Sequence, residues 1–221
     1  MTKKNVLPSY TLSEELINSI SHGIGTGLSI TALVLCVVRA AVHGNAWGVV
    51  SGSIYGASLV MLYCMSTLYH AITNRTARKV FRVFDHTSIF FLIAGSYTPI
   101  CLVTLNGALG WTLFGIVWAA AVLGIVLNAV SVDKFRKFSL VCYIGMGWAV
   151  IIGIKTIIEK LPTEGFKLLL IGGILYTVGI IFYALKKFRY MHCVWHFFVL
   201  GGSIFQFFCI YNYVLHTKLL G

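Results

Sequence analysis

Charge is what this chain has least of. Only 10% of its 221 residues are Asp, Glu, Lys or Arg, against about 25% in a soluble domain. So few charges cannot cover a wetted surface, which excludes a soluble fold. Acids are the scarcer sign: Asp and Glu together number 6 and are scattered, so a calcium or magnesium cage built from several carboxylates is poorly supported. The chain also lacks a CxxC pair, an internal repeat and a low-complexity stretch. Its six cysteines (Cys36, Cys64, Cys101, Cys142, Cys193 and Cys209) all fall inside apolar runs. They read as small packing residues, without redox chemistry.

In place of charge stand long apolar runs. Hydrophobic residues make up 58% of the chain and mean hydropathy is +0.89. A run of about 20 apolar residues spans the hydrocarbon core as a helix, whereas barrel strands alternate and need only about ten. Seven runs qualify, at residues 16–40, 47–71, 83–105, 109–130, 139–158, 166–185 and 192–216. The predicted fold is all-α: a seven-transmembrane helix bundle over 16–216, with short tails at 1–15 and 217–221. Glu14, Glu15, Asn18 and His22 interrupt the approach to the first run, so a cleaved signal peptide is not expected. The 22 glycines, among them Gly52-x-x-x-Gly56 and the pairs Gly172–Gly173 and Gly201–Gly202, suit close helix contacts. Trp47 and Trp111 read as interfacial anchors.

Lys and Arg set the orientation. Twelve fall on one side (Lys3, Lys4, Arg75, Arg78, Lys79, Arg82, Lys134, Arg136, Lys137, Lys186, Lys187 and Arg189). Five fall on the other (Arg39, Lys155, Lys160, Lys167 and Lys218). The positive-inside rule then puts the N-terminus in the cytoplasm and, after seven crossings, the C-terminus outside. The net charge of +11 comes from these short clusters between apolar runs. No nucleic-acid module is present, and the implied partner is anionic lipid.

On that topology the ionisable residues crowd the cytoplasmic third. His192 and His196 are four apart, hence on nearly one helix face, and Ser66 and His70 share that relation. Glu15, Asn18 and His22 form one stripe, and Asp85 opens the third run. His86 is rotated about 100° from Asp85, so the two are not expected to point at one spot. Three imidazoles from two helices plus an open position is what a catalytic zinc site needs. The reading assigns His70, His192 and His196 as Zn2+ ligands, Asp85 as general base and Ser66 as its orienting partner. Glu15, Asn18 and His22 are either an outer shell of that site or a polar clasp for the first helix. His43 and His216 read as solvated loop ends, and Cys193 points away from the site.

Four stretches in order, "EELINSISHGIG", "STLYH", "FDHTSIFFLIAGSYTP" and "HCVWHFFVLGGSIF", together resemble the bacterial haemolysin III branch of the progestin and adipoQ receptor family. The resemblance runs from Glu15 to about Tyr211. It implies a seven-helix bundle in the bacterial plasma (inner) membrane, N-terminus inside, with zinc near the cytoplasmic leaflet on His70, His192 and His196. It also implies that Asp85 is linked to the water at the metal, with Ser66 beside it. Alkaline ceramidases, similar in these motifs, suggest amide hydrolysis of a lipid. The chain departs from adiponectin-receptor-like members in carrying His86 where they tend to have tyrosine, and in lacking their long cytoplasmic N-terminal region.

Three functions compete. The leading one is a zinc-dependent hydrolase of lipid amides or esters, serving membrane homeostasis, with lipid entering sideways between helices. A receptor or membrane sensor would instead hold a structural zinc with Asp85 as fourth ligand. A cytolytic pore needs polar groups across the whole bilayer, and here they crowd one end. A retinal protein is excluded, because residues 192–216 hold no lysine for a Schiff base.

Overall fold

The computed structural model of the chain describes residues 7–8, 10–185 and 188–216. Lys3, Lys4, Lys186, Lys187 and Lys218 of the charge count, and the tail 217–221, lie outside the described residues. Among the described residues all regular structure is helical. The helices are α1 (Leu12–His43), α2 (Ala46–Ala71), α3 (Arg75–Pro99), α4 (Gly107–Ser131), α5 (Arg136–Gly147), α6 (Ile154–Lys160), α7 (Thr163–Ala184) and α8 (Met191–Cys209). A π turn, Ile100–Leu105, extends α3; a second, Ile210–Val214, extends α8; and a 3-10 turn, Ala149–Gly153, joins α5 to α6. Seven helical segments are thereby long and apolar enough to cross a membrane, and the chain is a multi-pass membrane protein.

Two starts differ from the sequence reading. The first helix begins at Leu12, because Thr11 and Glu14 close a reciprocal capping box that satisfies donors otherwise orphaned at a helix start. Residues 12–15, assigned to the tail, are therefore helical. The third helix begins at Arg75, eight residues before the run at 83. Asn74 caps it by accepting from the backbone N–H of Thr76 and Ala77 at 3.1 and 3.0 Å. The basic stretch 75–82 is thus the first two turns of α3 and not a loop.

The third span is the axis of the bundle. Phe90, Ala94, Ile100, Cys101 and Val103 are buried on it, whereas the other spans present Ile24, Leu28, Val34, Val122, Val126, Ile152 or Ile181 outward. An apolar outer face is what hydrocarbon solvates. Small residues let the spans approach: a Cβ on Gly56 would stand 2.6 Å from the Leu33 backbone. In each of the glycine pairs one member packs, Gly172 against Gln206 and Gly202 against the Tyr176 ring, and the other faces open space or ordinary contact.

The fifth span breaks at Trp148. A break exposes backbone groups that lipid cannot bond, so it survives only where protein satisfies them. Here the Tyr97 hydroxyl donates to the Gly147 carbonyl and accepts from the Val150 N–H, both at 2.8 Å. Pro99, which has no N–H to donate, stands where α3 gives way to its π turn. Tyr97→Phe is expected to lower stability by ~1–2 kcal/mol, since both backbone groups lose their partner. Thermal unfolding in mild detergent checks this, and an unchanged midpoint would show that the hydroxyl does not brace the break.

Candidate metal centre

Four helices bring the site together at the end of the bundle where the chain starts. α8 begins after Tyr190, whose φ of 63° is left-handed and turns the chain sharply into the helix. His192 and His196 then project from one face, ring centroids 4.7 Å apart. α2 delivers His70 on its last turn, with centroids 5.3 Å from His192 and 5.1 Å from His196. One ring nitrogen from each of the three lies within 4.8 Å of the others, and all three residues are buried.

The donor atoms fit a metal ion. The Nε2 atoms of His70 and His192 face each other at 3.3 Å, close to the roughly 3.3 Å between two nitrogens bound tetrahedrally to one zinc. Glu15 Oε2 lies 2.6 Å from His70 Nδ1, which keeps the proton on Nδ1 and leaves the Nε2 lone pair facing the other two rings. Neither ring nitrogen of His196 is matched by a well-formed hydrogen bond within the protein. A fully buried imidazole whose nitrogens lack well-formed hydrogen bonds is costly, and a shared cation would lower that cost. The group of three can bind a metal ion.

The remaining candidates divide. Glu15 is held from behind by Arg78, whose guanidinium also lies 5.3 Å over the Tyr69 ring. His22 stacks on His196, centroids 3.7 Å apart and planes 16° from parallel, so it supports that ring but lies outside the group of three. Asn18 is fully buried one turn earlier on α1. Asp85 is buried on α3, within electrostatic reach of His70 and beside Ser66, and it too lies outside the group of three. Arg82, three residues before it, is engaged by both carboxylate oxygens of Asp133, which leaves Asp85 to the site.

His86 corrects the sequence reading. Its Nδ1 stands 3.3 Å from Asp85 Oδ2, because adjacent helical side chains can bend toward each other although their Cβ atoms diverge. The Tyr143 hydroxyl donates to the His86 carbonyl at 3.0 Å, and the Tyr183 hydroxyl lies 3.4 Å from Nε2. Sequence reasoning also missed Tyr10 and Arg78. Tyr10 stacks on His192 at 5.0 Å, and burial pushes its phenol above the ordinary range, so it stays protonated. Arg78, in the basic stretch between two apolar runs, lies on α3, and Asn74 as a helix cap is the signal that places it there.

Beside the site lies an apolar cavity of ≈ 180 Å³. Asp85 and His22 form part of its wall, which continues along Ile89, Leu92, Tyr97, Val150, Leu169 and Val199. Ile144, Ile151 and Leu170 line it as well and are themselves exposed on the outer surface of the bundle. The cavity therefore reaches the lipid-facing side between the fifth span and α7.

Residues 10–207 match the sequence model of a family described as haemolysin-III related. The chain is 48% identical over 217 residues to hemolysin-3 of Bacillus cereus, covering 98% of this chain and 99% of that one. It is 46% identical over 211 residues to the hemolysin-3 homolog of Bacillus subtilis (strain 168), covering 96% and 99%. The human monocyte to macrophage differentiation factor is 25% identical over 213 residues, covering 94% of this chain and 87% of that one. No solved structure matches the chain.

Glu15→Gln is expected to weaken zinc or cobalt binding by about 10–100-fold, as loss of a carboxylate behind a ligating histidine does. Competition against a chromophoric chelator measures it, and unchanged affinity would remove Glu15 from the site.

Proposed function

The chain belongs to the haemolysin-III related family, and on that premise we propose that it is a zinc-dependent hydrolase of a lipid amide or ester, embedded in the plasma membrane with its N-terminus in the cytoplasm. The observation that carries the reading is contiguity: Asp85, within electrostatic reach of His70, and His22, stacked on His196, also wall an apolar cavity that reaches the lipid-facing surface. A hydrolase for membrane lipid needs that combination, a polar reacting end joined to a dry slot for an acyl chain.

His70, His192 and His196 would hold the zinc. A zinc ion so held polarises a carbonyl and makes water nucleophilic near neutral pH. The residues supply the rest. The cavity takes the acyl chain and excludes bulk water from the reacting end. Asp85 accepts the proton of the attacking water as the new carbon–oxygen bond forms. It then returns that proton to the leaving nitrogen or oxygen as the amide or ester bond breaks. Ser66 and His86 flank the carboxylate and hold its orientation. Glu15, fixed by Arg78, keeps His70 in the tautomer that can ligate.

A membrane sensor with a structural metal is the second reading, favoured by the fact that the histidines join α2 to α8. Asp85 lying outside the group of three favours a base over the fourth ligand that reading requires. The pore reading gains little support. Among the described residues the buried Glu, His, Arg and Asp side chains are Glu14, His22, His70, Arg82, Asp85, His192 and His196, all gathered at one end. Buried polar groups further along, such as Ser203 and Gln206, are bonded within the bundle, whereas a conducting path needs polar groups lining it throughout.

Purified protein is expected to carry about one zinc per chain, counted by elemental mass spectrometry, and the His192→Ala/His196→Ala double variant is expected to lose it. Asp85→Asn is expected to keep the zinc while hydrolysis of lipid amides and esters drops by about 100-fold or more. Full turnover in that variant would sink the role given to Asp85. A wild-type chain that refuses zinc would sink the reading as a whole.

A further inference from the structure

Tyr10 stands outside the apolar runs and no motif marks it, yet it lies directly on the histidine group. Its ring is stacked on His192, centroids 5.0 Å apart and planes at 23°, and lies 5.7 Å from His70. It takes no part in the wall of the apolar cavity. It covers the group from the side of the chain's start, while Asp85 and His22 face the cavity.

The backbone around Tyr10 is fastened to the helix that bears two of the histidines. The Glu14 carboxylate accepts from the Thr11 N–H at 2.9 Å, the Thr11 hydroxyl at 2.8 Å and the Tyr190 N–H at 2.8 Å. The Ser13 and Tyr190 hydroxyls lie 3.1 Å apart, and the Cys193 thiol points at the Glu14 carbonyl at 3.7 Å. Glu14 and Cys193 are both buried. Residues 10–14 are thus stapled across the turn that opens α8, and the staple sets where the Tyr10 ring can lie. An aromatic ring flat on an imidazole holds it in place and keeps water from its face.

We propose that Tyr10 is a positioning residue that covers the metal-binding histidines and closes them to the aqueous phase at the chain's N-terminal end. Metal then leaves only when the staple opens, and the apolar cavity is left as the way in for a membrane-dissolved substrate. The inference rests on the reading of the three histidines as a metal site.

The test is metal release. Wild-type, Tyr10→Phe and Tyr10→Ala proteins are loaded with zinc in lipid nanodiscs and mixed with an excess of a charged chromophoric chelator that does not cross the bilayer. Release is expected to be about tenfold faster in Tyr10→Ala and within about twofold of wild type in Tyr10→Phe, which keeps the ring. Equal rates in wild type and Tyr10→Ala would overturn the cover. Release from Tyr10→Phe as fast as from Tyr10→Ala would also overturn it, by placing the effect on the hydroxyl. Should Tyr10→Ala not fold, Glu14→Ala releases the staple with the ring still present and is expected to speed release in the same way; a wild-type rate there overturns the proposal. Wild-type protein that takes up no zinc at loading would instead overturn the metal reading beneath it, before any variant is compared.

Discussion

Glu15 on the first helix and His70 on the second meet at 2.6 Å, and the arrangement of the site depends on that contact. An imidazole buried at the edge of a bilayer has no bulk water to bond, so each nitrogen needs a partner or its burial is costly. Giving one nitrogen of His70 to Glu15 commits the other to the space shared with His192 and His196. Arg78 then offsets the carboxylate's own charge. The contact therefore fixes a tautomer and ties α1 to α2, and the early start of the third helix at Arg75 is what puts Arg78 behind Glu15.

The same accounting of backbone and side-chain partners governs the rest of the bundle. The fifth span can break beside the cavity only because Tyr97 occupies both orphaned backbone groups at the break. The central third span carries Tyr97 near its far end and Asp85 near its start. One helix thus braces the cavity wall at Tyr97 and carries Asp85 at the end of the cavity nearest the histidines. The outer faces of the remaining spans need no such partners, since they present aliphatic side chains to lipid.

Much of this was legible in the sequence, for identifiable reasons. Apolar runs revealed the seven crossings because only a helix can carry some twenty residues through hydrocarbon. The four-residue spacing of His192 and His196 placed them on one face because helical geometry is local. The starts at Leu12 and Arg75 were misplaced where polar residues prolong a helix past the apolar run, a case in which capping by Thr11 or Asn74 outweighs hydropathy. His86 was misjudged because the direction of a Cβ does not fix where a ring ends.

What the sequence determined by itself was the solvent this chain lives in, the number of crossings and the same-helix groupings of its polar residues. All three follow from composition and from periodicities a few residues long. Only the tertiary structure decided that Glu15 meets His70, that Arg78 stands behind Glu15, that Tyr10 lies on His192 and that Tyr97 bridges a break about fifty residues further along the chain. Each of these joins different segments through side chains whose reach and angle depend on how the helices pack. Helix packing is set by the summed shape of many apolar surfaces, which no short stretch of sequence contains.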